Sequence, residues 1–229
     1  MKAVLSSQRP CYTSEYNTWE ETCMSKNTGR FLWEVKQQTS FSNIKTVKVS
    51  IRYCPGIFSK LVGVLTLNNF DIFNAISYRQ DDKTSHIFNV RAIPGQVLDD
   101  KGFVRAENQL EAVLSGKLDL SLLVHTKMPV PRIFNSGELL QTPHEVIVRN
   151  EIDLTFSTIE VHTYDFPGVL FRISDALFRS GFYVWTAKIS TKGNRVYDVF
   201  YVKDFKDQQI KSPEQVAAVK TAIKKALSI

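Results

Sequence analysis

The chain has 229 residues, of which 43% are hydrophobic and 23% are charged, a balance typical of a folded globular protein. It contains no run of about 18 apolar residues, which excludes a transmembrane helix, and its first residues are too polar for a secretory signal. The net charge of +6 comes from basic residues spread along the chain. We therefore expect a mildly basic, solvated surface, since no long Lys/Arg run marks a nucleic-acid or membrane patch.

Three cysteines, Cys11, Cys23 and Cys54, are too few and too scattered to predict a disulfide framework or a zinc site. The sequence therefore predicts a protein of the reducing cytoplasm. Cys54 precedes a predicted helix, where a lowered thiol pKa would make it reactive, but a buried inert thiol is the simpler expectation.

The chain contains an internal repeat. A shift of 112 residues lays 45–90 over 157–202 without a gap. Identical residues at equivalent positions include the pairs Val49/Val161, Pro55/Pro167, Gly56/Gly168, Leu65/Leu177, Phe70/Phe182, Ala75/Ala187 and Phe88/Phe200. Self-similarity at a fixed shift predicts two copies of one structural module.

In chain order, the first copy opens with apolar residues that alternate over 47–51, which predicts a half-buried strand. Pro55-Gly56 then predicts a turn, with the proline suited to the first turn of a helix. The elements expected next are a helix over 57–65 ending near Asn69, a strand from Phe70 to about Tyr78, a hairpin at 81–83, a third strand ending at Val90 and a helix over 101–114.

The second copy repeats this order. Its predicted elements are a strand over 159–163, a turn at Pro167-Gly168, a helix over 169–177 ending near Gly181, a strand from Phe182 to about Thr191, a hairpin at 192–194, a third strand ending at Val202 and a helix over 213–227. Ser212 is a suitable N-cap for the last helix and Pro213 a suitable first residue.

These elements predict an α+β fold with two ferredoxin-like (βαββαβ) domains, each an antiparallel sheet with helices on one face. The segment 144–149 is the candidate fourth strand of the first copy. The second copy has no obvious fourth strand, so we expect its sheet to be shorter or to be completed by another segment.

The predicted domain organisation has three parts. Residues 1–40 form a partly irregular leader in which 31–35 could add a strand to the first module, 41–150 form the first domain, and 151–229 form the second. Within the first domain, 115–143 is predicted to be an irregular insertion that packs its leucines on the sheet or helices, namely Leu118, Leu120, Leu122 and Leu123.

The segment 158–204 strongly resembles an ACT domain, and more specifically the second of the two C-terminal ACT domains of bacterial PII uridylyltransferases. The matching residues are Asp165-x-Pro167-Gly168, Ala187-Lys188-Ile189-x-Thr191 and Asp198-Val199-Phe200-Tyr201-Val202-x-Asp204. The first copy resembles the first ACT domain of that pair through 55–61. The resemblance covers 45–205 well, 206–229 loosely and 1–40 poorly.

The resemblance implies a regulatory role, because the ACT pair of that family responds to glutamine and switches the enzyme between adding and removing a uridylyl group. It implies an amino acid, most plausibly glutamine, as ligand. It also implies a catalytic protein partner or a PII-type protein, and a homo-oligomer. We expect no membrane partner and no cofactor, and nucleic acid is a disfavoured partner because the basic residues are spread along the chain.

The predicted ligand site is the Pro-Gly turn of the second copy. Free N–H groups at the start of a helix would receive a carboxylate, Gly168 would let the ligand approach the backbone, and Asp165 would accept from an ammonium or an amide. The alternative is that Asp165 only caps the helix. The candidate ligand-binding residues are Asp165, Phe166, Gly168, Val169, Leu170, Ala187, Lys188, Ile189, Gly56 and Ile57.

The first copy departs from the family pattern, which is usually Asp-Arg-Pro-Gly. Here Tyr53-Cys54-Pro55-Gly56 lacks both the carboxylate and the cation, whereas Asp165-Phe166 in the second copy lacks only the arginine. An ammonium beside Tyr53 would have no counter-ion, so the second copy is the better candidate.

No catalytic motif is visible, and we expect no enzymatic activity from this chain by itself. The histidines His86, His125, His144 and His162 are isolated, so neither a metal site nor a nucleophilic triad is predicted. Two alternatives to sensing remain open. One is a degenerate ACT pair that serves in oligomerisation or partner docking. The other, less favoured, is RNA binding, because RRM domains share the βαββαβ order, although the third strands lack their basic-glycine signature.

Overall fold

The computed structural model describes residues 31–37, 43–54, 56–93, 95–127, 144–150 and 155–228. Its elements in chain order are β1 (Phe31–Gln37), β2 (Ile44–Arg52), α1 (Ile57–Leu67), β3 (Phe70–Gln80), β4 (Lys83–Ala92), α2 (Asp100–Leu114), α3 (Leu120–Lys127), β5 (Glu145–Asn150), β6 (Ser157–Tyr164), α4 (Val169–Arg179), β7 (Phe182–Lys188), β8 (Thr191–Lys192), β9 (Arg195–Asp204) and α5 (Pro213–Leu227). Cys11, Cys23, Pro55 and most of the predicted leader lie outside the described residues.

The strands form two antiparallel sheets. The first has the order β1-β2-β4-β3, and the second has the order β5-β6-β9-β7 with the short β8 paired to β9. On β2 and β9, buried positions alternate with exposed or half-exposed ones, so these strands bury one face. The predicted α+β class with two ferredoxin-like modules is confirmed.

The predicted partner of the strand at 144–149 is wrong. This segment forms β5, which pairs with β6 in the second sheet, whereas β1 fills the corresponding edge of the first sheet. The strand predicted at 31–35 is therefore confirmed. Each module takes its fourth strand from just before its first, because two strands joined by a short connection pair at little cost in loop-closure entropy.

The predicted irregular insertion contains a helix. Asp119 begins α3 by accepting from the backbone N–H of Leu122 at 3.0 Å. Leu120 and Val124, one helical turn apart, are buried as predicted for the leucines of this region, but Leu122 is 61% exposed. The rest of the predicted insertion, 128–143, lies outside the described residues.

The two modules pack against each other. Helix α1 contacts α4, and the edge strand β3 lies beside β7. Gly63 of α1 permits this approach, because an added Cβ would come within 2.7 Å of the Phe171 ring of α4. As a result, the N-terminal turn of α1 faces the start of β7, and the N-terminal turn of α4 faces the start of β3.

Helix boundaries follow the local signals that the sequence predicts. Ser212 and Gln215 form a complete capping box with Pro213 at the first helical position. Asn69 and Gly181, after α1 and α4, adopt left-handed backbone conformations with φ of 61° and 86°.

Candidate functional site

A cavity of about 420 Å³ lies between the modules at the Pro-Gly turn of the second. The second module contributes the turn itself and inward positions of β9. The first module contributes the end of α1, the start of β3 and Arg91 of β4. The cavity therefore exists only where the two modules meet.

The structure brings most of the predicted site residues together here. The predicted residues that line the cavity are Asp165, Phe166, Gly168, Val169, Leu170 and Ile189. Ala187 and Lys188 do not line it, because Ala187 points into the core and Lys188 is exposed beside the ring of Tyr201. Gly56 and Ile57 line a separate, much smaller cavity at the equivalent turn of the first module.

The turn before α4 leaves the helix N-terminus without a side-chain cap. Gly168 is the N-cap with φ of 86°, a conformation that favours glycine, and no side chain bonds the first turn. By contrast, Asp99 caps α2 by accepting from Gly102 at 2.7 Å. Asp165 does not cap α4, so the simple capping role is wrong, and the positive end of α4 faces the cavity.

Asp165 belongs to a charged cluster that spans both modules. Arg91 donates to Asp71 at 2.7 Å across β3 and β4. Burial raises the pKa of the half-buried Asp165 carboxyl, Asp71 raises it further, and Arg91 opposes them. Asp165 is thus an acceptor whose negative charge the surrounding protein only partly balances.

A second carboxyl lies deeper in the cavity. Asp198 of β9 is 1% exposed, and its Oδ1 accepts from the backbone N–H of Ser190 at 3.2 Å. Its Oδ2 has no hydrogen-bond partner among the described residues. Burial raises the pKa of Asp198 to about 7, with a further contribution from Asp165.

Asp198, Asp71, Arg91 and Thr66 are cavity residues absent from the predicted site. A signal for Asp198 exists in the sequence, because strand alternation places it inward between Val196 and Phe200. The other three come from the first module and carry no local signal.

The equivalent turn of the first module is filled by protein. Its cavity measures only about 20 Å³. The ring of Phe178 lies over Gly56, the ring of Tyr183 packs edge-on to Tyr53 at 5.3 Å, and the Arg79 guanidinium stacks on Tyr53 at 3.7 Å. Burial raises the pKa of Tyr53 to about 12, so the hydroxyl is neutral at physiological pH.

The cysteine beside this turn differs from the prediction. Cys54 is buried, as expected, but it is disulfide-bonded, so the prediction of a free thiol is wrong. This pairing has no signal in the sequence, because three scattered cysteines do not define a bridge.

The inward position of β4 that corresponds to Asp198 is held by His86. Its Nδ1 is hydrogen-bonded to Ser77 Oγ at 2.7 Å, and its Nε2 is 3.2 Å from Thr84 Oγ1. Burial lowers its pKa to about 3. His86 is therefore a neutral core residue with both ring nitrogens engaged.

The chain is similar in sequence to two bacterial enzymes of known name. The bifunctional uridylyltransferase/uridylyl-removing enzyme of Rhodospirillum rubrum is 31% identical over 176 residues, which cover 76% of this chain and 19% of that protein. The enzyme of the same name from Azospirillum brasilense is 30% identical over 176 residues, with the same coverage. The chain is therefore similar in sequence to part of these enzymes. The predicted resemblance is confirmed, over a span of about a fifth of the relatives' length.

Comparisons with protein-family models and with solved structures do not identify a family. No protein-family model matches the chain. Among solved structures, an aspartate kinase from Synechocystis matches with a TM-score of 0.43 and 18% identity, over 93% of this chain and 33% of that one. No helix in the described part of the chain is long and apolar enough to cross a membrane.

Proposed function

We propose that the chain is an amino-acid-responsive regulatory module whose ligand binds in the cavity at the Gly168 turn, with glutamine as the first candidate. The observation that carries this proposal is the inequality of two equivalent turns. Both helices begin at a glycine without a side-chain cap, but one turn opens onto about 420 Å³ lined by carboxylates and the other is filled by aromatic side chains.

The cavity matches the chemistry of a zwitterion. A ligand carboxylate would accept from N–H groups at the start of α4 other than that of Val169, which donates to the Phe166 carbonyl at 3.0 Å. The helix dipole favours a negative charge there. A ligand ammonium would donate to Asp165, whose charge is only partly balanced. Phe166, Val169 and Leu170 supply apolar surface for the ligand's methylene groups.

Regulation would follow from the composition of the cavity wall. Because Thr66, Asp71 and Arg91 come from the first module, a bound ligand would hold the modules in one relative arrangement. We propose that this arrangement is transmitted to a catalytic protein or a PII-type protein in the cytoplasm, as the uridylyltransferase relationship suggests. A homo-oligomer would present the module more than once.

Titration calorimetry of the whole chain with the common amino acids at millimolar concentration tests the proposal. We expect one site per chain, with glutamine among the binders, and a melting temperature that rises with ligand concentration. Asp165→Asn should weaken binding by about tenfold or more, since a charge-assisted bond to the ammonium is lost. Asp82→Asn, an exposed acid on the first module, is the matched control.

A second candidate function is a ligand-free docking or oligomerisation module. The filled first turn favours it, because one of the two equivalent sites is already closed. It predicts a stable oligomer whose melting temperature is the same with and without every amino acid.

A further inference from the structure

The cavity contains an acid that the proposed contacts with a ligand's α-carboxylate and α-ammonium do not use. Asp198 lies inward on β9 between two core residues, is 1% exposed, and lines the cavity wall. Asp165, at the turn, is the shallower carboxyl and is only half-buried. The two acids therefore occupy different depths of one cavity.

An unpaired buried carboxyl oxygen is costly. A buried acceptor without a partner loses hydration that nothing replaces. Asp198 Oδ1 is bonded to the Ser190 N–H, but Oδ2 has no partner among the described residues. The equivalent place in the first module is held by His86 with both ring nitrogens engaged, so the same fold accepts a residue other than an acid at this position.

The charges around Asp198 indicate what it would accept. Asp165 faces it from the β6–α4 turn and Asp71 from β3, while Arg91 of β4 is bonded to Asp71 and Lys127 lies at the end of α3. Above about pH 7 the Asp198 carboxyl is ionised and accepts but does not donate. There, a neutral aliphatic group or a second carboxylate would leave Oδ2 unpaired.

We propose that Asp198 is the acceptor of a side-chain subsite that selects ligands carrying a nitrogen donor: an amide, an amine or a guanidinium. This subsite rests on the proposed amino-acid site for the position of the ligand's α-carboxylate and α-ammonium. It excludes aliphatic and acidic amino acids as preferred ligands. In this proposal Asp198 selects the side chain of the ligand, and the Gly168 turn binds the α-carboxylate and α-ammonium that all amino acids share.

Calorimetry at pH 8 with glutamine, lysine, arginine, norleucine and glutamate tests the subsite. Cadaverine and agmatine, which lack the α-carboxylate, are included as probes of the acid alone. The wild type should bind at least one nitrogen-bearing side chain about tenfold more tightly than norleucine, and Asp198→Leu should remove that preference while norleucine binding stays the same. Asp82→Leu, an exposed acid far from the cavity, should keep it.

The outcomes separate the two proposals. If amino acids bind and Asp198→Leu keeps the preference, the subsite is wrong and the amino-acid site stands. If no amino acid binds but cadaverine or agmatine binds in an Asp198-dependent way, the subsite stands and the proposed function fails. If no probe shows binding in calorimetry, both proposals are wrong. A circular-dichroism melt of Asp198→Leu at or above the wild-type temperature shows that lost binding is not lost folding.

The pH dependence distinguishes amine from amide ligands. A cationic amine should bind more tightly as the pH rises through about 7, because Asp198 ionises there. An amide ligand should show a weaker dependence, because the protonated carboxyl keeps one acceptor oxygen. Binding of every nitrogen-bearing ligand that stays constant from pH 6 to 8 in both the wild type and Asp198→Asn would contradict the role of Asp198.

Discussion

Phe178 of the second module covers Gly56 of the first so closely that a Cβ added to that glycine would lie 2.6 Å from its ring. Thr66 holds the equivalent position at the end of α1 and lines the open cavity with Gly168. A large side chain at one position and a small one at the other therefore distinguish the filled turn from the open one.

Thr66→Phe should close the open cavity by placing a ring where Phe178 places one in the other module. We expect amino-acid affinity to fall at least about tenfold, with little change in stability, because the ring enters existing space. Calorimetry against the best wild-type ligand measures it. Thr66→Val, which keeps the volume and loses only the bond to the Val62 carbonyl, should bind normally. Equal binding by Thr66→Phe would show that ligand binds elsewhere.

Phe178→Thr should destabilise the protein without changing the ligand response. Removal of most of a buried ring leaves a void, and we expect a loss of about 3 kcal/mol in the free energy of unfolding. Urea unfolding measures the loss, and Phe178→Leu should lose less. A second ligand site in Phe178→Thr would contradict the view that Tyr53 cannot replace Asp165.

Gly168→Ala and Gly181→Ala form a matched pair. Both glycines have φ of 86°, so each alanine should cost about 1–2 kcal/mol from backbone strain alone. Only Gly168 lies at the cavity, and only its substitution should weaken amino-acid binding. Thermal melts with and without ligand measure both effects. Equal ligand responses in the two variants would remove the turn from the site.

Asp198 and His86 should contribute to stability with opposite pH dependence. The folded pKa of Asp198 is about 7, above its ordinary value, so its contribution is full below about pH 4 and is lost as the pH rises to 7. The folded pKa of His86 is about 3, so its contribution is full above about pH 6.5 and is lost as the pH falls towards 3.

The test is urea unfolding at pH 5 and pH 8. Between pH 5 and pH 8 the wild type should lose the contribution of Asp198 to the free energy of unfolding, on the order of a few kcal/mol, and Asp198→Asn should not. Asp82→Asn should follow the wild type. If the change in stability from pH 5 to pH 8 is the same in Asp198→Asn and in the wild type, the folded-state pKa of Asp198 is not raised.

Local signals in the sequence identify most elements but not all of their partners. Alternation, helical spacing and the capping residues Ser212 and Pro213 predict strands and helices near their observed bounds. The pairing of the edge strands is the part that the sequence does not indicate. Trp33 pairs with Val49 as Val146 pairs with Val161, so β1 and β5 are equivalent, but at a shift one residue longer than the rest of the repeat. An ungapped comparison cannot detect that equivalence.

The candidate site likewise has residues that local sequence patterns predict and residues that they do not. The turn from Asp165 to Gly168 is predictable because its chemistry is contained in consecutive residues. Thr66, Asp71 and Arg91 reach the cavity only through the packing of one module on the other, which no local pattern specifies. Ala187, a strand residue of the resembled motif, has its side chain in the core and does not line the cavity, so a ligand contact through its backbone stays a prediction.

The most direct test of the central claim is an NMR titration of the isotopically labelled chain with glutamine and, in parallel, with the best ligand found by calorimetry. We predict that backbone amide signals of 168–170 and of 69–72 shift together and saturate, because both segments line one cavity. Signals of 56–58, at the filled turn, should stay in place. Shifts confined to 56–58, or no saturable shift with any amino acid, would contradict a ligand site at the Gly168 turn.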